Sequence, residues 1–195
     1  MSKADRGEMN KTLPFVLISA AVFSFAFYLG FVAAGANPDY AREVIQETLK
    51  GFSFLRDAND LLVLLFIFFN NSLKALIAIL LGPLFFVPVI FMFINGFLLG
   101  MVLKVIGGEV GFTTVGAALV PHGIFEIPAV VIASGYGIWL GFMIIKKFAT
   151  NNHEIKISGL YGHVLRKFAL IIVPVLIIAA LIEVFVSPHI VRLFR

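Results

Sequence analysis

Residues 110–145, VGFTTVGAALVPHGIFEIPAVVIASGYGIWLGFMII, decide the fold of this chain. His122 and Glu126 are the only histidine and the only charged residue in this run. As a single helix the run would be about 54 Å long at 1.5 Å per residue, whereas the hydrocarbon core of a bilayer is about 30 Å thick. We therefore predict that the segment is broken or re-entrant, with the breaks at Pro121 and Pro128.

The composition of the whole chain indicates an integral membrane protein. Of its 195 residues 61% are hydrophobic and only 13% are charged, against roughly 25% charged in soluble domains, and the mean hydropathy is +1.04. In such a chain a net charge of +4 does not indicate nucleic-acid binding. Cysteine is absent, which excludes disulfides, thiolate metal sites and cysteine nucleophiles.

Long uncharged runs predict an all-α fold, a polytopic membrane helical bundle with about five net spans. Asn37-Pro38 is a typical cap and first-turn pair and predicts an amphipathic helix at about residues 39–57 between the first two spans. The spans are expected at about residues 13–35, 61–81, 84–103, 110–145 (the broken segment) and 168–186.

The distribution of lysine and arginine predicts the orientation of the chain. Residues 146–167 carry five basic side chains and one acidic side chain, whereas residues 36–60 carry three basic and five acidic ones. Basic loops stay in the cytoplasm. We therefore expect a multi-pass protein of the cell membrane with residues 146–167 as a cytoplasmic loop, the 39–57 helix outside, a cytoplasmic N-terminus and an external C-terminus.

Polar residues of three consecutive segments fall at about the same depth when they are counted from the ends of the spans. A charge at the bilayer centre costs about 2.5–3.5 kcal/mol, so these groups should face the bundle interior and each other. The predicted buried polar site consists of Asn70, Asn71, Lys74, Asn95, His122, Gly123 and Glu126.

The chemistry of this site is open at the level of sequence. The polar residues could only hold the helices together, or they could form a site for protons, ions or a substrate, the default for ionisable groups in a membrane. His122 and Glu126, four residues apart, could bind a divalent metal, but catalytic zinc usually has three protein ligands. Without such a metal no cofactor is expected, and an enzyme is not favoured because Ser72, Thr113, Thr114 and Ser134 are candidate nucleophiles by residue type only.

Two pairs of glycines, Gly96/Gly100 and Gly137/Gly141, have the four-residue spacing that lets helices approach closely. They predict packing within the bundle or, alternatively, a homodimer face. The other expected partners are the lipid bilayer and other membrane proteins.

Three stretches resemble the stage II sporulation protein M family of membrane proteins: FFNNSLKALIAILLGP (68–83), INGFLLG (94–100) and PHGIFEIPAVVIASGYG (121–137). The resemblance implies importance for Asn70, Asn71, His122, Gly123 and Glu126, which match the family's motif. It also implies, for the namesake in spore-forming bacteria, a membrane scaffold that localises cell-wall-degrading partners.

Three functions follow as hypotheses. The first is a scaffold or interaction protein that contacts partners through the 39–57 helix or the 146–167 loop. The second is a small channel or proton-coupled transporter that uses Glu126, His122 and Lys74. The third is an intramembrane metal-dependent hydrolase.

Overall fold

The computed structural model describes residues 3–150 and 156–194, with side chains from Thr12 onward, and this part of the chain is helical without a strand. The basic side chains of Lys3, Arg6 and Lys11, and residues 151–155 of the expected cytoplasmic loop, lie outside the described part. The helices are α1 (Lys3–Ala36), α2 (Pro38–Lys50), α3 (Asp60–Leu80), α4 (Phe86–Val110), α5 (Phe112–Ala149), α6 (Ile157–Lys167), α7 (Val173–Phe185) and α8 (Ser187–Arg192).

In the part of the chain that the structure describes, five helical runs are long and apolar enough to cross a membrane, which confirms the predicted all-α fold with about five spans. Their lipid-facing surfaces carry large apolar side chains such as Phe25 and Phe69, which are 60% and 62% exposed. The last span is longer than expected, because α6, a π-helical turn at Phe168–Ile172, α7 and α8 follow one another. The five runs are Thr12–Ala36, Asp60–Leu80, Phe86–Val110, Phe112–Ala149 and Ile157–Arg192.

Asparagine caps begin the two helices that follow the first span. The Asn37 side chain accepts a hydrogen bond from the backbone N–H of Tyr40 at 3.2 Å, and the Asn59 side chain accepts one from that of Leu62 at 2.9 Å. Each cap satisfies a backbone donor that the first helical turn leaves free. The amphipathic helix is shorter than predicted: α2 ends at Lys50, and a separate 3-10 turn follows at Ser53–Leu55.

The predicted break in the fourth segment does not occur, because α5 is one helix from Phe112 to Ala149 with Pro121 and Pro128 inside it. Its excess length is accommodated at one end. Gly141 lies against the turn between α3 and α4, where an added Cβ would be 2.6 Å from the Gly82 carbonyl oxygen. The remaining residues, up to Ala149, project beyond this turn and end in a basic last turn.

Both glycine pairs pack inside the bundle. A Cβ at Gly96 would lie 2.4 Å from the Phe23 carbonyl oxygen of α1, and one at Gly137 would lie 2.2 Å from the Ala78 carbonyl oxygen of α3. Helix backbones at such separations leave no room for a side chain. The glycine faces therefore pack against neighbouring helices of the same molecule, and the alternative homodimer face stays a prediction.

Contacts at the helix termini define two opposite ends of the bundle. At one end, called the α2 end, Arg42 pairs with Glu109 of α4 at 2.7 Å, and the Thr114 hydroxyl donates to the Phe194 carbonyl at 3.3 Å. At the other end, called the α6 end, the Tyr161 hydroxyl donates to the carbonyl of Leu80 at 3.0 Å. The acidic helix and the basic α6 thus lie at opposite ends.

Candidate functional site

His122 and Glu126 lie one turn apart on α5, and Glu183 of α7 joins them. The ligand atoms of these three side chains all lie within 4.8 Å of one another. We call this group the His–Glu cluster. Two residues four apart on a helix share a face, so the pairing of His122 with Glu126 follows from the sequence, whereas the approach of Glu183 depends on how α7 packs on α5.

The cluster lies near the middle of the membrane-spanning part of α5. Glu126 is about 21 Å along the helix from Phe112 at the α2 end, at 1.5 Å per residue. The distance from Glu126 to Gly141, which packs at the α3–α4 turn, is about the same. The segment from Phe112 to Gly141 is thus about as long as a bilayer with its headgroups is thick, about 40–45 Å, and Glu126 lies near the middle of this segment.

A cavity of about 680 Å³ between α1, α4 and α5 reaches the cluster. Apolar side chains form its walls, among them Phe23, Phe27, Leu99 and Leu103, and its polar lining comes from Asn95, His122 and Glu126. Val120 and Ile124 at its edge are 55% and 62% exposed, so the cavity borders the lipid-facing surface. Gly116 and Gly123 also line it and keep it open, because a Cβ at Gly116 would meet nothing within 4 Å.

The cavity ends toward the α6 end. Its lining on α5 stops at Val130, and from Ala133 to Gly141 every residue of this helix is buried. Trp139 and Leu140, at 1% and 0% exposure, fill the space there. The described cavity thus extends from mid-membrane toward the α2 end, and tight packing separates it from the α6 end.

Lys74 acts on the cluster from another side. Its ammonium interacts electrostatically with the Glu126 carboxylate, while its side chain lines a separate groove between α3 and α4 with Phe86 and Ile90. Glu183 also interacts electrostatically with Glu126, with like charge. Two carboxylates and one ammonium leave these three groups with one excess negative charge when all are ionised.

The asparagines contribute unequally. Asn95 lines the cavity, and its Nδ2 donates to the Phe91 carbonyl of its own helix at 2.7 Å. The Nδ2 of Asn70 donates to Oδ1 of Asn71 at 3.3 Å, and neither of these two residues is among those lining the cavity. The structure therefore places Asn95 in the same cavity as His122 and Glu126, whereas the interaction of the asparagine pair is internal to α3.

The hydroxyl groups considered as nucleophiles lie elsewhere. Thr114 bonds to the Phe194 carbonyl at the α2 end, and Thr113 is exposed there. Ser134 is fully buried in the packed part of α5, and Ser72 does not line the cavity. The hydrolase hypothesis thus gains no nucleophile beside His122 and Glu126 from the described residues.

Glu183 is the member of the His–Glu cluster that the sequence analysis missed. It is the only charged side chain between Lys167 and Arg192. The rule that singled out Glu126, that an ionisable residue inside a span marks a site, applies equally to Glu183 and would have found it.

Comparison with known proteins identifies the family. The family model described as stage II sporulation protein M matches residues 19–188, which include the whole His–Glu cluster. No curated protein and no solved structure matches the chain. Because the family model covers most of the chain, this multi-pass membrane protein belongs to the stage II sporulation protein M family.

Proposed function

We propose that the protein is a small membrane transporter for a proton, a cation or a protonated solute, with the His–Glu cluster as its binding site. The observation that carries this proposal is the cavity that extends from His122 and Glu126 toward the α2 end, while packed side chains from Ala133 to Gly141 separate it from the α6 end. A binding site near the bilayer midplane with access from one side is the arrangement found in secondary transporters.

The charges of the site support a positively charged substrate. Glu126 interacts with the Lys74 ammonium and with the Glu183 carboxylate, so binding of one positive charge makes this group of three neutral. Ionisable groups within a membrane mark ion pathways and proton relays because their burial is costly. A purely structural set would be expected to compensate its charges within the protein.

Flux measurements on reconstituted protein test this proposal. Proteoliposomes with an internal pH-sensitive dye should acidify under an inward proton gradient, and those with an internal cation-sensitive dye should respond to an inward gradient of a transported cation; Glu126→Gln should abolish either signal. Glu47→Gln, at an exposed position of α2, is a matched control that removes the same charge and should retain flux. Folded wild-type protein without flux under any proton or cation gradient would refute the proposal.

We propose that the α6 end is cytoplasmic and the α2 end external, with the N-terminus inside and the C-terminus outside. The basic residues at the end of α5 and in α6 support this orientation, as does the acidic character of α2. Since the chain has no cysteine, single cysteines at Tyr40 and Gly162 would report sidedness directly. An impermeant thiol reagent applied outside the cell should label the first and not the second.

A scaffold function is the second candidate, and the surface of α2 favours it. Ala41 and Ile45 anchor this helix against Met101 and Val105 of α4, yet Tyr40 and Leu49 on α2 are each 60% exposed. Such apolar side chains could contact a partner membrane protein. A photo-crosslinking residue at Leu49 should then capture a defined protein in native membranes, whereas the same residue at Glu43 should not; adducts with lipid alone would contradict this function.

A further inference from the structure

We propose that His122, Glu126 and Glu183 bind one divalent metal cation, with Glu183 as the third ligand that the sequence motif lacks. This inference rests on the proposed cation-handling function of the same site and names the class of cation. It assigns a specific role to a residue of the last span.

The geometry of the three side chains suits a single ion. Their ligand atoms all lie within 4.8 Å of one another. Zinc-type ions bind nitrogen and oxygen ligands at about 2.0–2.2 Å in tetrahedral geometry, which places the ligand atoms about 3.4 Å apart. Rotations of the two glutamate side chains, each with three rotatable bonds, provide the remaining contraction of up to about 1.4 Å.

The two carboxylates of the cluster face each other beside His122. The His122 ring is within reach of a backbone hydrogen bond to Ala118, and its Nδ1 atom is buried. In the described part of the chain the interactions of the Glu126 and Glu183 carboxylates are electrostatic, with Lys74 acting on Glu126 and Glu126 acting on Glu183. Buried polar groups that only hold a fold together are normally hydrogen-bonded, so two such carboxylates close to an imidazole indicate a ligand with positive charge.

Charge balance favours a divalent ion at this depth. Two carboxylates and a neutral imidazole around one divalent cation form a group without net charge, whereas two bare carboxylates near the bilayer centre are costly. Lys74 interacts with Glu126 from a separate groove between α3 and α4. It lies outside the ligand set, and the group that includes Lys74 carries no net charge with a divalent ion bound when the Lys74 amine has lost its proton.

The ligand types select the class of metal. One imidazole nitrogen and two carboxylate oxygens suit Zn²⁺, Mn²⁺, Fe²⁺ or Co²⁺, whereas soft ions such as Cu⁺ prefer sulfur. Three protein ligands also leave a position for water or substrate. The cavity beside His122 and Glu126 has room for such a molecule.

Titration of the purified full-length protein with Co²⁺ tests the inference. The visible absorption bands of Co²⁺ report ligand number and geometry, and metal analysis after dialysis against Zn²⁺ gives the stoichiometry. We expect one ion per chain. In Glu183→Gln the affinity should be at least about 100-fold weaker, because removal of an outer-shell partner of a metal site already lowers affinity 10- to 100-fold and Glu183 would be a direct ligand. Glu47→Gln should bind as the wild type does.

A conservative variant keeps the test decisive if Glu183→Gln does not fold. Glu183→Asp retains a carboxylate and should bind Co²⁺ with an altered spectrum. Wild-type protein that binds no metal, or Glu183→Gln with unchanged affinity, would overturn the inference. Proton flux that depends on Glu126 in metal-free protein would leave the transport proposal intact, whereas bound metal without flux would refute transport and leave the metal site in place.

Discussion

Replacing Gly100 by alanine should force α1 and α4 apart. The added Cβ would lie 2.1 Å from the Phe27 carbonyl oxygen and 2.8 Å from the Phe31 amide nitrogen, and both are backbone atoms of α1. Ordinary contact begins at 3.4 Å, so the helices must separate by about 1.3 Å. Overpacking of a core costs about 1–3 kcal/mol, and we expect about 3 kcal/mol because the α1 backbone atoms cannot rotate away as a side chain can.

Thermal unfolding in detergent, followed by circular dichroism, measures this effect. A loss of 3 kcal/mol corresponds to a melting temperature lower by roughly 6–12 °C for a protein of this size. Gly108→Ala is the matched control, since it makes the same substitution on α4 where a Cβ would meet nothing within 4 Å. Alanine has a higher helix propensity than glycine by about 1 kcal/mol, so this control should be neutral or slightly stabilising.

The result that would refute the reasoning is equal stability of the two variants. It would mean that α1 and α4 are not in backbone contact at Gly100 in the membrane protein. A drop in both variants would point instead to a general sensitivity of α4 to substitution.

Three further perturbations test other parts of the molecule. Gly116→Leu should fill the cavity without touching a polar group. It should reduce flux in proteoliposomes at least tenfold and leave the melting temperature unchanged. Unchanged flux would show that the cavity is not the route of the transported ion or solute. Lys74→Met should destabilise the protein because the Glu126 carboxylate loses its counter-charge. Adding Glu126→Gln should restore stability, with a coupling of about 1 kcal/mol or more in a double-mutant cycle. Additive effects of the two substitutions would contradict the interaction. Tyr161→Phe should cost about 0.5–1.5 kcal/mol in chemical unfolding through loss of its hydrogen bond to the Leu80 carbonyl, and no change would place α6 elsewhere.

The spans and the central pair could be predicted because the membrane restricts the possible structures. A bilayer requires backbone hydrogen bonds to be satisfied within each segment, so uncharged runs of span length translate directly into helices. His122 and Glu126 could be paired because their spacing fixes a shared helical face. These properties are local to one segment of the sequence.

The position of Glu183 and the continuity of α5 could not be predicted because they depend on contacts between segments. Apart from Glu183 the sequence of α7 is apolar on all sides, so it does not reveal which of the other helices the face that carries Glu183 packs against. Likewise, the length of α5 indicates only that the helix exceeds the membrane. Where it protrudes is set by Gly137 and Gly141, which dock it against α3 and the turn at Gly82.

The prolines that were expected to break α5 have a different consequence in a continuous helix. Pro121 and Pro128 have no backbone N–H, so the carbonyls one turn before them, those of Ala117 and Ile124, lose their usual helical partner. Both lie close in sequence to the His–Glu cluster, and Ile124 lines the cavity. Carbonyl oxygens without a donor add negative potential around His122 and Glu126, and the charge of a bound cation would compensate it. The local backbone chemistry and the carboxylates therefore favour the same kind of ligand, and no break of the helix is needed to provide it.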